Sequence, residues 1–571
     1  MSQIKKVMQL VCAPKYLEEG ESFKEGMSRI ADTLKDSDEH FKVCQEILLD
    51  QRFLPAGRVQ ASIGATRSTT AFNCYVSKNI PDTSEGIFQM LGEAFQTMRL
   101  GGGDGFCFST LRPRGSMIKS LGSPSSGPVS FMKVWDAMCE TVKSAGHRRG
   151  AMMATMHIWH PDIEEFITCK QKAGVLTNFN ISVLITDKFM EAVENDEDFD
   201  LEFDGVVYKT VKARMLWNKI MRNTWDHAEP GVLFIDKINQ KNNMNYMEDI
   251  VATNPCGEQP LPPDGACLLG SFNLTKYCVY DGGGPSLYFD WDSFNKDISP
   301  IVRMMDNVID NTIYPLEDQA FESRTKRRMG LGITGFANAC SFLGFPYGSE
   351  ESLMFLSEVM TKLRDGAYHA SIILSKEKGS FPAFDERYLE GEFIKTLPWD
   401  IQEGIKEFGI RNSHLLSIAP TGTISLWAEN ISSGIEPVFE HAYNRNVYMQ
   451  DGSIGKFYLE DYAYHNWGIK GETSDEVTVK QHIDVLCVAS RLVDSACSKT
   501  CNVGDSVTFE EFKDIYKMAY EGGASGCTTF RPAAFAQEND VRGAVLEKVN
   551  TEIQEGAACF INEYGERECA D

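Results

Sequence analysis

The chain has 571 residues, of which 43% are hydrophobic, and a formal net charge of −25 at pH 7. Such a length can form several domains or one large α/β barrel with additions, and it can bury a large core. The acidic residues are spread along the whole chain, which argues against a surface that binds polyanions, so we expect no nucleic-acid partner.

The sequence lacks the signals of export and membrane insertion. It has no run of about eighteen apolar residues, and residues 1–10 lack the apolar core and cleavage site of a signal peptide. The sixteen cysteines show no paired zinc spacing, so no metal site is expected, and Cys497 and Cys501 are interpreted as a packing pair on one helix face rather than as ligands. We expect a cytoplasmic protein with mostly free thiols and no membrane contact.

The predicted elements begin with helices over 16–34 and 41–49, where apolar residues recur at three- and four-residue spacing. Leu54-Pro55-Ala56 then breaks the pattern, and strands alternate with helices along the rest of the chain. The predicted strands are 72–76, 106–111, 181–185, 232–235 and 268–273, and the predicted helices are 84–100 with Ser84 as its cap, 129–144, 162–170, 187–193, 213–226, 300–311 and 350–376. This alternation predicts an α/β protein with a parallel sheet or barrel.

The stretch Asn254-Pro255-Cys256-Gly257-Glu258 puts an amide, a thiol and a carboxylate into one tight segment. A carboxylate near a thiol raises the thiol pKa, which disfavours ordinary nucleophilic catalysis. The set suits hydrogen-atom chemistry better, with a neutral thiol that can become a radical and a carboxylate that moves a proton. For these five residues alone, a surface turn around a buried cysteine remains an open alternative.

Three weaker patterns also stand out. Gly146-His147-Arg148-Arg149-Gly150 can bind phosphates through guanidinium groups, or it is a solvated basic loop. Pro420-Thr421-Gly422-Thr423-Ile424 can form an anion site at a helix N-terminus, or it is an ordinary strand-to-helix turn. His157 and His160 are interpreted as structural residues.

Several motifs in order resemble one enzyme family. Phe72-Asn73-Cys74 precedes the Cys256 stretch, Ala266-Cys267-Leu268 follows it, and Ala419-Pro420-Thr421-Gly422-Thr423 lies far downstream. Together they resemble the large, catalytic chain of ribonucleotide reductase over about residues 53–546, most closely the class II enzymes that depend on adenosylcobalamin.

The resemblance implies an architecture. It predicts a ten-stranded α/β barrel over 53–546, made of two five-stranded halves, with the Cys256 loop as a central finger. Residues 1–52 form a short helical N-terminal region that is too small for the nucleotide-binding cone of many relatives. Residues 547–571 form a flexible tail whose thiols, Cys559 and Cys569, can pass electrons to the site.

The resemblance also assigns roles to residues. It implies that Cys256 carries the thiyl radical, that Asn254 and Glu258 assist, and that Cys74 and Cys267 supply two electrons and become a disulfide. The implied substrate-binding residues are Ala56, Asn73, Gly103, Pro420, Thr421, Gly422, Thr423 and Ile424. The implied residues for a dNTP or ATP effector are Asp82, Arg112, Lys119, His147, Arg148 and Arg149.

The radical source is predicted from Thr528-Thr529-Phe530. Class I chains carry two adjacent tyrosines here, which relay a radical from a second subunit, and threonine cannot do so. We therefore expect adenosylcobalamin as cofactor, a ribonucleotide substrate, a thioredoxin- or glutaredoxin-like reductant and a homodimer. Two alternatives stay open: a class I chain that needs a radical-generating subunit, and a catalytically dead dNTP-binding regulator.

Overall fold

The structure is a computed structural model that describes residues 2–144, 148–149, 151–172, 174–280, 287–448, 453–504, 506–531 and 546–548. Within these ranges the α-helices are α1 Gln3–Val7, α2 Ala13–Tyr16, α3 Phe23–Thr33, α4 Asp38–Leu49, α5 Gly57–Ser62, α6 Ser84–Arg99, α7 Pro128–Thr141, α8 Ile163–Thr168, α9 Asp187–Asn195, α10 Ala213–His227, α11 Ile235–Lys241, α12 Trp291–Asn311, α13 Glu317–Lys326, α14 Phe336–Leu343, α15 Glu350–Lys378, α16 Glu392–Lys395, α17 Trp399–Phe408, α18 Gly422–Trp427, α19 Tyr462–Trp467, α20 Val479–Arg491 and α21 Phe509–Glu521. A π-helical turn, Met8–Cys12, joins α1 to α2.

The strands in the same ranges are β1 Phe53–Pro55, β2 Cys74–Val76, β3 Gly103–Cys107, β4 Met117–Ile118, β5 Ser123–Pro124, β6 Lys143–Ser144, β7 Arg148–Arg149, β8 Met152–His157, β9 Phe179–Ile185, β10 Asp198–Phe203, β11 Val206–Lys212, β12 Gly231–Phe234, β13 Ala252–Thr253, β14 Pro260–Leu261, β15 Ala266–Cys267, β16 Leu269–Asn273, β17 Cys278–Tyr280, β18 Leu287–Phe289, β19 Gly330–Thr334, β20 Ala442–Tyr448, β21 Ile454–Glu460, β22 Thr500–Asn502, β23 Gly526–Phe530 and β24 Leu546–Lys548.

The largest sheet has eight strands in the order β15-β2-β3-β8-β9-β12-β23-β22. The five strands from β2 to β12 are parallel, whereas β15 is antiparallel to β2 and β23 is antiparallel to β12. Strands β8 and β9 are buried along nearly their whole length, as expected for parallel strands with both faces covered. A large apolar cluster joins this sheet to helices that include α7, α10 and α21.

A second sheet has three strands in the order β1-β16-β19, and a second apolar cluster packs it against helices that include α12 and α15. Parallel bridges from Leu331 to Leu416 and from Ile418 to Cys497 lead from β19 toward β22. At the other end, β15 runs into β16 through Leu268 alone. The two sheets are therefore linked at both ends. The α/β class is confirmed, while the count of ten barrel strands stays a prediction.

Many predicted elements are confirmed within two residues of their limits, among them α9, α10, α15, β9, β12 and β16. Other predictions are wrong in detail. The predicted helix 16–34 begins only at Phe23, α4 begins three residues before the predicted residue 41, and α7 ends at Thr141 rather than at residue 144. The predicted strand 106–111 ends at Cys107, where a 3-10 turn, Phe108–Thr110, begins. Thr83, not Ser84, caps α6 by accepting the Gly86 N–H. Helix α12 starts at Trp291, and Pro300 lies inside it, because its buried apolar face continues through the proline. Cys497 and Cys501 lie in extended chain rather than on a helix.

The N-terminal helices pack on the body of the chain. Apolar residues of α1 and α2 share a cluster with α18 and with the β20–β21 hairpin, and the His40 ring contacts the Pro300 carbonyl at 3.0 Å. Within the described ranges, no helix is both long enough and apolar enough to cross a lipid bilayer.

Candidate active site

The stretch around Cys256 forms the loop of a short hairpin. Strand β13 pairs antiparallel with β14, with Thr253 opposite Pro260. The Asn254 N–H donates to the Gln259 carbonyl at 3.2 Å, and the Gly257 N–H donates to the Asn254 carbonyl at 3.1 Å. Gly257 has φ +82°, a conformation that glycine adopts without steric cost. The prediction that these five residues form one tight segment is therefore confirmed.

Asn254 and Glu258 are completely buried, whereas Cys256 between them is half-buried. The Asn254 side-chain amide donates to Glu258 Oε1 at 2.8 Å, and Asn254 Oδ1 accepts the Gln259 N–H. Among the described residues, no group hydrogen-bonds Glu258 Oε2. Burial raises the pKa of Glu258 from 4.5 to about 7, because desolvation disfavours the charged form. The carboxyl group can therefore exchange a proton near neutral pH.

The hairpin lies against the eight-stranded sheet on one side. A Cβ at Gly105 of β3 would lie 2.0 Å from the Thr253 carbonyl oxygen, so only glycine permits this approach. The Thr155 hydroxyl of β8 donates to the Val251 carbonyl at 2.8 Å. Asn180 of β9 donates its amide to the Pro255 carbonyl at 2.8 Å.

On its other side, the hairpin touches chain that belongs to or adjoins the three-stranded sheet. A Cβ at Gly330 of β19 would lie 2.4 Å from the Gln259 amide nitrogen. The Glu258 carbonyl accepts the Ser417 hydroxyl at 2.9 Å and the Ala496 N–H at 3.1 Å. The Cys256 loop is thus held between chain segments associated with both sheets.

Cys74 and Cys267 are directly opposite each other in the antiparallel pairing of β2 with β15. Directly opposed residues in such a pair have Cα atoms about 4.5–5.5 Å apart, which is within the range for a disulfide. These residues are 193 positions apart in the sequence, and their predicted proximity is borne out at the level of the backbone.

Several implied substrate residues surround Cys74. Gly103 is its partner in the pairing of β2 with β3, and a Cβ at Gly103 would lie 3.3 Å from Cys74 Sγ and 3.1 Å from the Pro255 ring. Asn73 is buried, and its carbonyl accepts the Gly103 N–H. One small apolar cluster contains Ala56, Cys74, Val76, Ala252, Leu261, Leu269 and Ala419. It brings Cys74 together with the base of the hairpin and with the residue before Pro420.

The segment Pro420-Thr421-Gly422-Thr423-Ile424 leads into the short helix α18. Thr421 has φ +55°, and its hydroxyl lies 2.9 Å from the Thr334 hydroxyl and accepts the Gly434 N–H at 2.8 Å. Thr423 and Ile424 are buried, and Gly422 is half-buried. The predicted turn leads into a helix, but the chain before it makes only isolated bridges at Leu416 and Ile418 instead of the predicted strand. The Thr421 side chain stabilises the turn itself.

The implied effector residues lie on several segments. Arg112 and Asp82 form an ion pair, with Arg112 Nε 2.6 Å from Asp82 Oδ2. Lys119 is exposed in the turn between β4 and β5. Arg148 and Arg149 form β7, which pairs with β6. His147 lies outside the described residues, as do the tail thiols Cys559 and Cys569.

The histidines expected to be structural make local contacts. The His160 ring lies 2.9 Å from the Leu111 carbonyl and accepts the Asp162 N–H, and burial lowers the pKa of His157 and His160 to about 4. In the part of the chain that the structure describes, no three His, Cys, Asp or Glu side chains are placed to hold a metal ion.

Sequence reasoning missed the side chains that hold the Cys256 loop, Asn180 and Ser417. The only local signal is a polar residue inside an apolar strand pattern, as Asn180 is in Phe179–Ile185. Sequence reasoning also missed Tyr516, whose buried hydroxyl lies 2.9 Å from the hydroxyl of Thr529.

Comparison with known proteins identifies the family. A family model described as the barrel domain of ribonucleotide reductase matches residues 72–530. A vitamin B12-dependent ribonucleoside-diphosphate reductase of Thermoplasma acidophilum is 35% identical over 539 residues, which cover 89% of this chain and 67% of that protein. A protein of the same name from Mycobacterium tuberculosis (strain CDC 1551 / Oshkosh) is 32% identical over 552 residues, covering 90% and 75%.

A more distant relative carries a different name. The ribonucleoside-diphosphate reductase subunit alpha of Chlamydia pneumoniae is 26% identical over 468 residues, covering 72% of this chain and 44% of that protein. The matched family model spans most of the chain and includes Cys74, the Cys256 loop and Thr529. The chain belongs to the ribonucleotide reductase family.

Proposed function

We propose that this chain reduces ribonucleotides, as diphosphates, to 2′-deoxyribonucleotides for DNA synthesis, with adenosylcobalamin as its radical source. The observation that carries the proposal is the Cys256 loop, in which a half-buried thiol lies between a buried amide and a buried carboxyl group with a pKa near 7. The relatives named vitamin B12-dependent ribonucleoside-diphosphate reductases support the diphosphate substrate and the cofactor.

The residues divide the reaction between them. Cys256, as a thiyl radical, removes the 3′-hydrogen of the ribose, and Glu258 takes the proton of the 3′-hydroxyl. Asn254 holds the Glu258 carboxylate by its hydrogen bond. The 2′-hydroxyl leaves as water while Cys74 and Cys267 supply two electrons and become a disulfide. Cys256 then recovers its hydrogen atom, so that one ribonucleotide and two thiols give one deoxyribonucleotide, one water and one disulfide.

The partial exposure of Cys256 is compatible with a cofactor that binds beside it. Adenosylcobalamin, when bound, supplies a carbon radical by breaking its cobalt–carbon bond. Cys256 is the half-exposed member of an otherwise buried set, so the residues around its open side would meet the cofactor. The pair Thr528-Thr529 supports this choice over a relay through two adjacent tyrosines, because a threonine hydroxyl does not carry a radical as a phenol does.

The architecture of the family is proposed for the whole chain. The two sheets linked at both ends support a ten-stranded α/β barrel over 53–546, with the β13–β14 hairpin as its finger. Residues 1–52 are then a short helical N-terminal region. Residues 547–571 begin with the end of β24, which pairs with β20, and the proposed tail with Cys559 and Cys569 therefore starts later than residue 547. Those two thiols would pass electrons from a thioredoxin- or glutaredoxin-like reductant to the Cys74–Cys267 disulfide.

Nucleotide sites are proposed at two further places. Pro420-Thr421-Gly422-Thr423-Ile424 would bind the substrate phosphates through backbone N–H groups, and Ala56, Asn73 and Gly103 would contact the ribose region. A dNTP or ATP effector would bind at Asp82, Arg112, Lys119, His147, Arg148 and Arg149. The most direct support is the ion pair of Arg112 with Asp82, because both side chains are partly exposed and a guanidinium group can bind a phosphate in the same way as a carboxylate.

A homodimer is proposed through the outer faces of α6 and α7. Phe88 is 60% exposed and Phe95 is 39% exposed on α6, and Val134 is 37% exposed on α7. The two helices contact each other, so these side chains support one continuous apolar surface beside Asp82 and Arg112. A second copy of the chain would cover it.

The test uses the purified chain without any second protein. It is incubated with adenosylcobalamin, a dithiol reductant, a ribonucleoside diphosphate and a dNTP, and the product is measured by chromatography. We expect deoxyribonucleotide and an electron paramagnetic resonance signal of a thiyl radical coupled to cobalt(II). The Tyr516→Phe variant should be as active as the parent.

Two outcomes would contradict the proposal, and each would favour one of the two alternatives. Turnover that appears only after addition of a metal-containing second protein would indicate the class I alternative. Nucleotide binding without turnover under either condition would indicate the regulator, although such a binder would have no need for Cys74, Asn254, Cys256, Glu258 and Cys267 together.

A further inference from the structure

Two side chains outside the expected catalytic set hold the peptide carbonyls on either side of Cys256. Asn180 donates its amide to the carbonyl of Pro255, the residue before Cys256, at 2.8 Å. Ser417 donates its hydroxyl to the carbonyl of Glu258, two residues after Cys256, at 2.9 Å. They approach the loop from different parts of the fold: Asn180 lies in β9, and Ser417 lies between Leu416 and Ile418, which make isolated bridges to Leu331 of β19 and to Cys497.

Asn180 is itself fixed by its neighbours. The Phe179 carbonyl before it accepts a hydrogen bond from Lys170. The Ile181 N–H after it donates to Glu229 Oε1 at 3.1 Å. Lys170 and Glu229 also form an ion pair with each other at 2.5 Å. Because the backbone is held on both sides of Asn180, its amide is a rigid donor toward the loop.

Ser417 is fixed in a similar way. It is completely buried, and its N–H donates to the Leu331 carbonyl at 3.0 Å. Its hydroxyl also lies 3.2 Å from the Ala496 carbonyl, and the Ala496 N–H donates to the same Glu258 carbonyl at 3.1 Å. The backbone just before Ala496 is held as well, because Lys241 donates to the Ser495 carbonyl at 3.1 Å.

Between these two contacts, the Gly257 N–H donates to the Asn254 carbonyl within the loop at 3.1 Å, but the loop is not packed against other residues at Gly257. Gly257 has φ +82°, and nothing lies within 4 Å of the position that a Cβ would take there. Packing therefore does not restrain the loop at this residue. The hydrogen bonds from Asn180 to Pro255 and from Ser417 to Glu258 therefore add side-chain restraint from outside the hairpin, one on each side of the thiol.

We infer that Asn180 and Ser417 are positioning residues that fix the Cys256 thiol relative to the substrate and to the Glu258 carboxyl group. The inference rests on the proposed function, in which Cys256 takes a hydrogen atom from the ribose. Reacting atoms must lie about 3–3.5 Å apart, and a misplacement of about 1 Å can reduce the rate about a hundredfold. Neither side chain has to touch the substrate to control that distance.

The variants are Asn180→Ala, Asn180→Asp and Ser417→Ala, together with the double variant Asn180→Ala/Ser417→Ala. Asn180→Asp keeps the side-chain volume but removes the amide donor, which covers the case in which Asn180→Ala does not fold. Two matched controls each remove a side-chain hydrogen bond to a carbonyl far from the loop. Asn311→Ala removes a 2.8 Å bond to the Asn307 carbonyl, and Ser375→Ala removes a 2.8 Å bond to the Phe408 carbonyl together with a 2.9 Å contact with the Ser380 hydroxyl.

Four quantities are measured for every variant: kcat for the ribonucleotide, its KM, the melting temperature, and the rate at which iodoacetamide alkylates Cys256, which is followed by peptide mass spectrometry. We expect each single variant to lose at least about tenfold in kcat, and the double variant about a hundredfold or more. KM should stay within about twofold, because the substrate contacts are untouched. The melting temperatures should match those of the controls, and the alkylation rate should change only in the loop variants.

The outcomes separate this inference from the proposed function. If the parent turns over and the loop variants keep the kcat and alkylation rate of the controls, the positioning role is wrong and the function stands. If the parent does not turn over but the alkylation rate of Cys256 still changes only in the loop variants, the positioning role stands and the function falls. If loop and control variants lose kcat and melting temperature to the same extent, Asn180 and Ser417 have only a structural role.

Discussion

Glu258 is a carboxyl group whose surroundings adapt it to proton exchange near neutral pH. Its pKa near 7 comes first from burial, which its hydrogen bond from Asn254 offsets only in part. Because the folded pKa lies above the ordinary 4.5, this group stabilises the fold most at acidic pH, and that stability is lost as the pH rises through about 7. Activity has the opposite requirement, since a proton acceptor must be ionised.

We therefore predict that kcat/KM falls as the pH drops below about 7, by about tenfold per pH unit well below that value. The measurement is initial rate against pH at limiting substrate, with the melting temperature followed over the same range as a control for unfolding. Glu258→Gln should lose nearly all turnover at every pH. A profile that stays flat from pH 8 to pH 5.5 would exclude Glu258 as the proton acceptor.

Cys256→Ser tests the thiol directly. We predict no measurable turnover and nearly unchanged nucleotide affinity, because an O–H bond is too strong for serine to carry the radical. Turnover is measured by product formation and affinity by equilibrium dialysis, with Cys169→Ser as a control at another half-buried thiol. Multiple turnovers by the serine variant would remove Cys256 from the mechanism.

Arg112 tests the effector site. We predict that Arg112→Ala weakens dNTP binding more than about fivefold, which exceeds the ~1 kcal/mol of an exposed ion pair. Arg114→Ala is the matched control. Arg114 lies on the same loop as Arg112, is half-exposed and forms an ion pair with Glu165. Isothermal titration with each dNTP gives the affinities. If Arg112→Ala bound every effector as the parent does, the effector site would lie elsewhere.

At the scale of elements, the hairpin that carries Cys256 depends on a glycine in the neighbouring strand. A methyl group at Gly105 would lie 2.0 Å from the Thr253 carbonyl oxygen, and that atom belongs to the backbone and cannot rotate away. We predict that Gly105→Ala displaces the hairpin, costs about 1–3 kcal/mol of stability and lowers kcat at least about tenfold.

Gly504→Ala is the control for that substitution, because nothing lies within 4 Å of its Cβ position and its φ is not left-handed. It should be neutral or slightly stabilising. Calorimetry and steady-state rates are compared for the two variants. Parent-like stability and rate in Gly105→Ala would mean that β3 and β13 do not pack as closely as the structure has them.

At the scale of the whole molecule, the apolar surface of α6 and α7 predicts the oligomeric state. Phe88→Glu/Phe95→Glu places two charges on it, and burying unpaired charges at an interface is costly. We predict that the parent is a dimer by light scattering and that this variant is largely monomeric at micromolar concentration. Phe321→Glu, at a residue that is 73% exposed on α13, should leave the dimer intact. A monomeric parent would contradict the proposal.

Some features could be predicted from local sequence because their causes are local. The helices α9, α10 and α15 follow from apolar spacing, and the turn at Gly257 follows from a glycine beside a proline segment. Where a local rule competed with packing, the prediction failed: Pro300 does not start α12, because the apolar face of that helix continues on both sides of it.

The sequence by itself was enough to bring Asn254, Cys256 and Glu258 together, since five residues in a tight turn cannot lie far apart. The motif order also indicated the family that the comparison identified. These conclusions depend on neighbours along the chain and on the chemical character of single side chains, both of which are read directly from the residues.

Only the tertiary structure decided which distant residues meet the loop. Cys267 is opposite Cys74 because β15 pairs with β2, and Glu258 has its raised pKa because the sheets around it exclude water. Asn180 and Ser417 hold the loop from positions 75 and 159 residues away from their partners. Pairing register, burial and long-range hydrogen bonds arise from how the sheets assemble, and no local pattern in the sequence encodes them.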